Sequence, residues 1–168
     1  MKMAEGTRYM MPLKRRREGK TDYRQRLKLL KSGKVRAVVR PSNEHISVQF
    51  IRYDRDGDIV ETSASSQHLE DLGWEGHGAN IPSAYLVGYL AGKRAVEKGI
   101  EEAVLDIGLN YPEKSGRLFS ALNGIIDAGV SVPHDSEVLP DENRIKGEHI
   151  DDKMSEIFEE VKSRLEEL

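Results

Sequence analysis

Between Pro82 and Lys98 the chain reads PSAYLVGYLAGKRAVEK, and Ala84, Gly88, Ala91, Gly92 and Ala95 form a stripe of small side chains along it. The spacing is that of one helix face. A glycine inside a helix costs about 1 kcal/mol relative to alanine. A helix that keeps two of them is expected to press closely against a sheet or another helix. Pro82 suits the first helical position and Gly99 a stop, so the helix should run from Pro82 to about Lys98.

The flanking segments supply what this helix packs against. VRAVVRP (35–41), HISVQFIRYD (45–54) and DGDIVETSAS (56–65) alternate and are rich in β-branched residues, with the turn sequences SNE and RDG as links. They predict an antiparallel meander. SQHLEDLGW (66–74) reads as a short helix, EAVLDIGL (102–109) as a buried strand, GRLFSALNGIIDAG (116–129) as a second long helix and VSVPH (130–134) as a closing strand. The order β-β-β-α-β-α predicts an α/β fold, one mixed sheet with helices packed on it, as in a ribonuclease-H-like sandwich.

A helix is added at each end. The first has Thr21 as N-cap and Gly33 as stop, with Tyr23, Leu27 and Leu30 as a docking stripe and Arg24, Lys28 and Lys31 on a neighbouring face. The last starts near Asp151 or Asp152. Its Met154, Ile157, Phe158, Val161, Leu165 and Leu168 recur at helical spacing, and its outer face is acidic. Residues 1–20 show no apolar periodicity and are expected to form an extended basic arm, disordered in isolation. The expected organisation is this arm, a single α/β domain over 21–150, and an acidic amphipathic tail helix over 151–168.

Charge is segregated along the same chain. Residues 1–40 hold 14 Lys and Arg against 3 acids (Glu5, Glu18 and Asp22), a net of +11; residues 41–168 hold 12 against 26, a net of −14, and the two make the overall −3. Such asymmetry suggests a polyanionic partner. The densest stretch is KRRREGKTDYRQRLKLLKSGKVR, Lys14 to Arg36. Arginine forks bind phosphate bidentately and stack on bases, and Tyr9 and Tyr23 supply aromatic faces among the cations, so RNA is the expected partner. Cysteine is absent, which excludes disulfides, thiolate metal sites and a Cys nucleophile and fits a cytosolic protein. No apolar run approaches the ~18 residues of a membrane span, and no apolar segment follows the N-terminal charges as in a secretory signal.

Other motifs are weaker. GLNYPEKS (108–115) follows a strand and precedes a helix, like a phosphate-binding loop, but Glu113 stands where the second glycine belongs and Pro112 removes an N–H donor. What survives is a phosphate perch formed by Lys114, Ser115, Gly116 and Arg117 at a helix N-terminus, against the plainer reading of a capped, charged helix start. DRDGD (54–58) resembles the start of a calcium loop, but its Gly57 comes two places early and Ser65 replaces the closing glutamate; a hairpin turn fits better. The histidines His45, His68, His77, His134 and His149 form no metal-ligand spacing, and no nucleophile elbow is present. No cofactor and no metal are therefore expected. Two rivals stay open: a small Mg-dependent phosphate-ester enzyme on a ribonuclease-H-like fold, using Asp54, Asp58 and Asp106, and a protein-interaction module built on the tail helix.

Several stretches in order resemble one family. KRRREGKTDYRQRLKLLKSG (14–33), VVRPSNEHISVQ (38–49), SAYLVGYLAGKRA (83–95), EEAVLDIGLN (101–110) and GEHI (147–150) are similar to the archaeal–eukaryotic branch of the universal large-subunit ribosomal protein eighteen family. The resemblance implies an α/β sandwich that is not catalytic. It implies binding to 5S rRNA, contact with large-subunit rRNA, and attachment of the 5S particle in the central protuberance. The neighbouring protein that also binds 5S rRNA, and other central-protuberance proteins, would be partners, and the location the cytoplasmic large subunit. By the same resemblance Lys14, Arg15, Arg16, Arg17 and Lys20 lie along RNA backbone. Tyr23, Arg24 and Arg26 sit at a helix–RNA contact, Arg40, Ser42, Asn43 and His45 on a hairpin facing RNA, and Lys114, Ser115 and Arg117 in a contacting loop.

Overall fold

A computed structural model describes residues 6–167 of the chain; Leu168 and the first five residues of the expected arm lie outside the described residues. Two helices come first, α1 (Lys14–Arg17) and α2 (Tyr23–Leu30), then strands β1 (Val35–Pro41), β2 (Ile46–Arg52) and β3 (Ile59–Ser65). A short helix α3 (Gln67–Glu70) leads to the long α4 (Ile81–Glu97), strand β4 (Ala103–Asp106) and helix α5 (Arg117–Asp127). A 3-10 turn (Ser136–Val138), α6 (Glu142–Lys146) and α7 (Asp152–Glu166) follow. The four strands form one mixed sheet in the order β3-β2-β1-β4, with β1 antiparallel to β2 and parallel to β4.

The alternation read in the sequence becomes two faces of this sheet. Ile46, Val48 and Phe50 of β2 are fully buried and join Ala37 and Val39 of β1 in the core with α4 and α5. Ser47 and Gln49 take the opposite face, paired across the sheet with Arg40 and Val38. The small-residue stripe resolves in favour of a helix neighbour. A Cβ at Gly88 would lie 2.1 Å from the Ala121 carbonyl oxygen of α5, and one at Gly124 would lie 2.1 Å from the Tyr85 carbonyl oxygen of α4. The two backbones touch where glycines from both helices meet.

The ends of the chain differ from the expectation in instructive ways. The arm is not extended throughout, since Lys14–Arg17 wind into one helical turn. Thr21 does not cap α2. Asp22 does, its carboxylate accepting from the backbone N–H of Arg24 (2.8 Å) and Gln25 (3.2 Å), while the Thr21 hydroxyl accepts from Arg15 Nε. A carboxylate satisfies two orphan donors and the helix dipole at once. Of the expected docking stripe, Tyr23 and Leu30 are half-buried but Leu27 is 57% exposed; Gln25, Arg26 and Leu29 take the inward side with them. In α4, Asn80 is the cap and Ile81 the first residue, which puts Pro82 second. VSVPH is not a strand. Ser131 makes a single parallel bridge with Glu102, and Pro133, lacking an N–H, cannot extend it. The 3-10 turn and α6 were not anticipated; they are too short for a periodic signal, although Gly147 supplies the left-handed C-cap (φ 80°) of α6.

The tail helix is tied down at three points. Phe158, Val161 and Leu165 are buried, and the Phe158 ring packs 5.5 Å from that of Tyr85. Lys93 Nζ donates to the carbonyls of Leu165 (2.9 Å) and Glu166 (2.8 Å), closing the helix C-terminus. Arg164 donates to the Leu72 carbonyl.

Candidate nucleic-acid interface

Lys14, Arg15, Arg16 and Arg17 are all exposed, and nothing apolar competes for them. Arg15 is braced by Thr21, and Lys20 pairs with Glu18 at 3.3 Å. The arm runs directly into α2, whose Arg24 and Lys28 are exposed, as is Lys31 at its C-cap. These three recur at helical spacing and so share a face. The two backbone N–H groups donated to Asp22 hold its carboxyl below the usual range, so it stays ionised as a cap.

The opposite side of α2 carries a row of ion pairs. Arg26 Nη2 donates to both oxygens of Asp58, at 2.9 and 2.8 Å. Arg36 is 3% exposed and holds Asp58 Oδ2 at 2.6 Å through one nitrogen and Asp106 Oδ2 at 2.9 Å through the other. Arg40 donates to the Val39 and Asp106 carbonyls and approaches Asp106 Oδ1 at 3.5 Å. Gly108 has a positive φ (61°), and a Cβ there would meet the Arg40 guanidinium at 3.0 Å. Partial burial pushes the Asp58 carboxyl up, but the Arg26 hydrogen bond and the charges of Arg36 and Arg26 outweigh it and leave it below its ordinary value.

The remaining expected contacts gather at one end of the sheet. Ser42 closes the β1–β2 hairpin, its hydroxyl bonding the His45 carbonyl (2.8 Å) and accepting from the His45 N–H (2.9 Å). His45 Nδ1 turns to the Ser66 hydroxyl at 3.0 Å, and Asn43 is exposed at the tip. Arg117 crosses from the start of α5 to the Ser42 carbonyl (3.1 Å) and the Ala79 carbonyl (3.2 Å), joining loop and hairpin. The phosphate perch is not free as drawn from sequence. The Ser115 N–H donates to Val138 and the Gly116 N–H to Glu113, and exposed Lys114 faces Glu137 at 3.5 Å. Ser115 itself has φ 55°.

Arg26 and Arg40 therefore face one cleft with Lys20, while Ser42, His45 and Arg117 form a second cluster and Lys14–Arg17 stand outside both. In the sequence Arg36 stands out only as the last residue of the dense basic stretch. The missed signal is chemical: an arginine inside a strand this apolar requires carboxylates, and Asp106 ends the neighbouring β4 while Asp58 leads into β3. Tyr111, 84% exposed on the β4–α5 loop, was also passed over. The magnesium alternative loses its ligands. Asp58 and Asp106 are engaged by arginines, Asp54 accepts from its own turn's Asp56 N–H, and no group of three or more metal-binding side chains occurs among the described residues.

Comparison with known proteins settles the kinship. Residues 7–103 match the family described as ribosomal large subunit proteins 60S L5, and 50S L18. A protein of Haloquadratum walsbyi named large ribosomal subunit protein uL18 is 56% identical over 148 residues, covering 88% of this chain and 72% of its own. The chain belongs to the uL18 family. The large ribosomal subunit protein uL18 of Aeropyrum pernix is 54% identical over 149 residues, covering 88% of this chain and 70% of the relative. That of Methanothermobacter thermautotrophicus is 51% identical over 158 residues, covering 94% and 82%. The uL18-family match takes in the arm, α2, the hairpin and α4, and ends before the loop with Lys114, Ser115 and Arg117. No described helix is long and apolar enough to cross a membrane.

Proposed function

We propose that this chain is a structural, non-catalytic constituent of the large ribosomal subunit that binds 5S rRNA and helps attach it to the large rRNA in the central protuberance. The observation that carries the reading is the continuous exposed row Lys14–Arg17, followed by the outward Arg24, Lys28 and Lys31 of α2, mounted on an acidic body. Closely spaced cations of this kind neutralise phosphates and release counterions. Tyr23 lies beside them as a stacking surface. Asn43 at the hairpin tip, with Ser42, His45 and Arg117 holding that end of the sheet, fixes where the body sits on folded RNA. Lys114 and Ser115 border the same end. The acidic remainder repels non-cognate RNA and suits basic neighbours, among them the other 5S-binding protein of the particle.

The test is a salt titration of 5S rRNA binding by the full chain and by a chain lacking residues 1–20. Each phosphate contact contributes roughly 0.7–0.9 to the slope of log affinity against log salt. The truncated chain is expected to bind more weakly with a flatter slope. An unchanged slope removes the arm as the anchor.

A further inference from the structure

Helix α2 contains no fully buried residue, and Leu27 is 57% exposed, so apolar packing anchors it weakly. Its strongest tie to the body is ionic. Arg26 lies on the side of α2 opposite Arg24, Lys28 and Lys31 and grips both oxygens of Asp58, the residue that leads into β3. Asp58 is itself held by Arg36, which β1 buries and Asp106 of β4 holds in turn. The charges alternate from the helix to the far strand. A carboxylate clamped between two guanidinium groups, one of them nearly inaccessible, has few alternative geometries, unlike an exposed surface pair.

We propose that Asp58 is a positioning residue for RNA binding: through Arg26 it sets the rotation of α2, so that Arg24, Lys28 and Lys31 face outward in register with the arm. This rests on the RNA-binding reading above. It reassigns Arg26 from a phosphate contact to the tether of the helix that makes the contacts. The proposal predicts a sign that plain electrostatics does not. A carboxylate near an RNA-binding face repels phosphate, so its removal should raise affinity if charge alone mattered. If Asp58 holds α2 in place, its removal lowers affinity.

The experiment titrates 5S rRNA with the full chain carrying Asp58→Asn and, separately, Asp58→Glu. The expected result is binding weaker by about fivefold for Asp58→Asn, with a flatter salt slope, and partial recovery for Asp58→Glu. Binding by Asp58→Asn equal to or tighter than that of the parent overturns the proposal. Because that variant also deprives buried Arg36 of a partner, Arg26→Gln provides a second measurement that leaves the Arg36–Asp58 pair intact. Amide hydrogen exchange of the RNA-free protein should quicken across residues 23–30 and stay unchanged in β1 and β4. Unaltered exchange in α2 makes Arg26 a direct contact and also defeats the proposal. If the parent chain fails to bind 5S rRNA, the functional reading falls, while the exchange experiment still judges the tether.

Discussion

Gly88 and Gly124 meet where α4 and α5 cross, and neither position has room for another carbon. In an exposed helix, glycine to alanine stabilises by about 1 kcal/mol. Here the sign reverses, because the added methyl must push two helix backbones apart. Gly88→Ala should destabilise the protein by about 1–3 kcal/mol, read from the urea midpoint; a gain in stability would show that α5 is not seated against α4 at this point. Arg36 poses the converse problem. Arg36→Met roughly keeps the volume but leaves buried Asp106 with the 3.5 Å approach of Arg40 as its counter-charge, and Asp58 with Arg26 alone. A loss of about 3–5 kcal/mol is expected by the same measurement.

Helices α2 and α7 are both appended to the sheet, and the structure secures them by different physics. For α2 the tie is the Arg26–Asp58 pair. The Asp58 carboxyl is held below its ordinary value of 3.8, so its stabilising contribution is complete above that value and is lost as pH falls through the lower folded value. Arg26 of α2 and Arg36 of β1 are the charges that face it. Hydrogen exchange across α2, corrected for intrinsic rates, should be level from neutrality down to about pH 5 and rise below about pH 4. The Asp22 cap of the same helix is lost in that window too, so the Asp58 share is the part of the rise missing from Asp58→Asn. A rise already at about pH 6 to 7 would point to a different group. For α7 the tie is apolar. Phe158 is 1% exposed against Tyr85, and Phe158→Ala is expected to cost about 3–5 kcal/mol and expose the tail to proteolysis. Resistance of that tail to cleavage would mean that Val161 and Leu165, with Lys93 and Arg164, suffice to hold it.

Viewed entire, the molecule separates its charges in space as well as in sequence. Of the net +11 of residues 1–40, the arm (1–20) supplies +5, residues 21–33 with α2 supply +3, and Lys34, Arg36 and Arg40 at β1 supply the remaining +3, while the net −14 belongs to residues 41–168. Some of the N-terminal positive charge never reaches solvent: Arg36 is spent internally, and Arg26 and Arg40 are partly so. Charge counting alone therefore overstates how many cations the surface offers. Deleting the arm should lower the salt slope by less than its number of Lys and Arg suggests, since Lys20 is already paired with Glu18.

Periodicity and turn chemistry were enough to place the meander, α4, β4, α5 and α7 and to pick out the cationic segment, because each of these signals is local: alternation, small-residue spacing, caps, charge density. Asp22 rather than Thr21 as the cap, one helical turn within the arm and the loss of the VSVPH strand at Pro133 turned on competition between neighbouring groups, for which local spacing has no measure. The network Arg26–Asp58–Arg36–Asp106 joins residues far apart in the chain, and only the folding of β1 between β2 and β4 brings those charges within bonding distance. Which arginines stay exposed was decided there, by the requirement that a charge buried in a strand find its counter-ion.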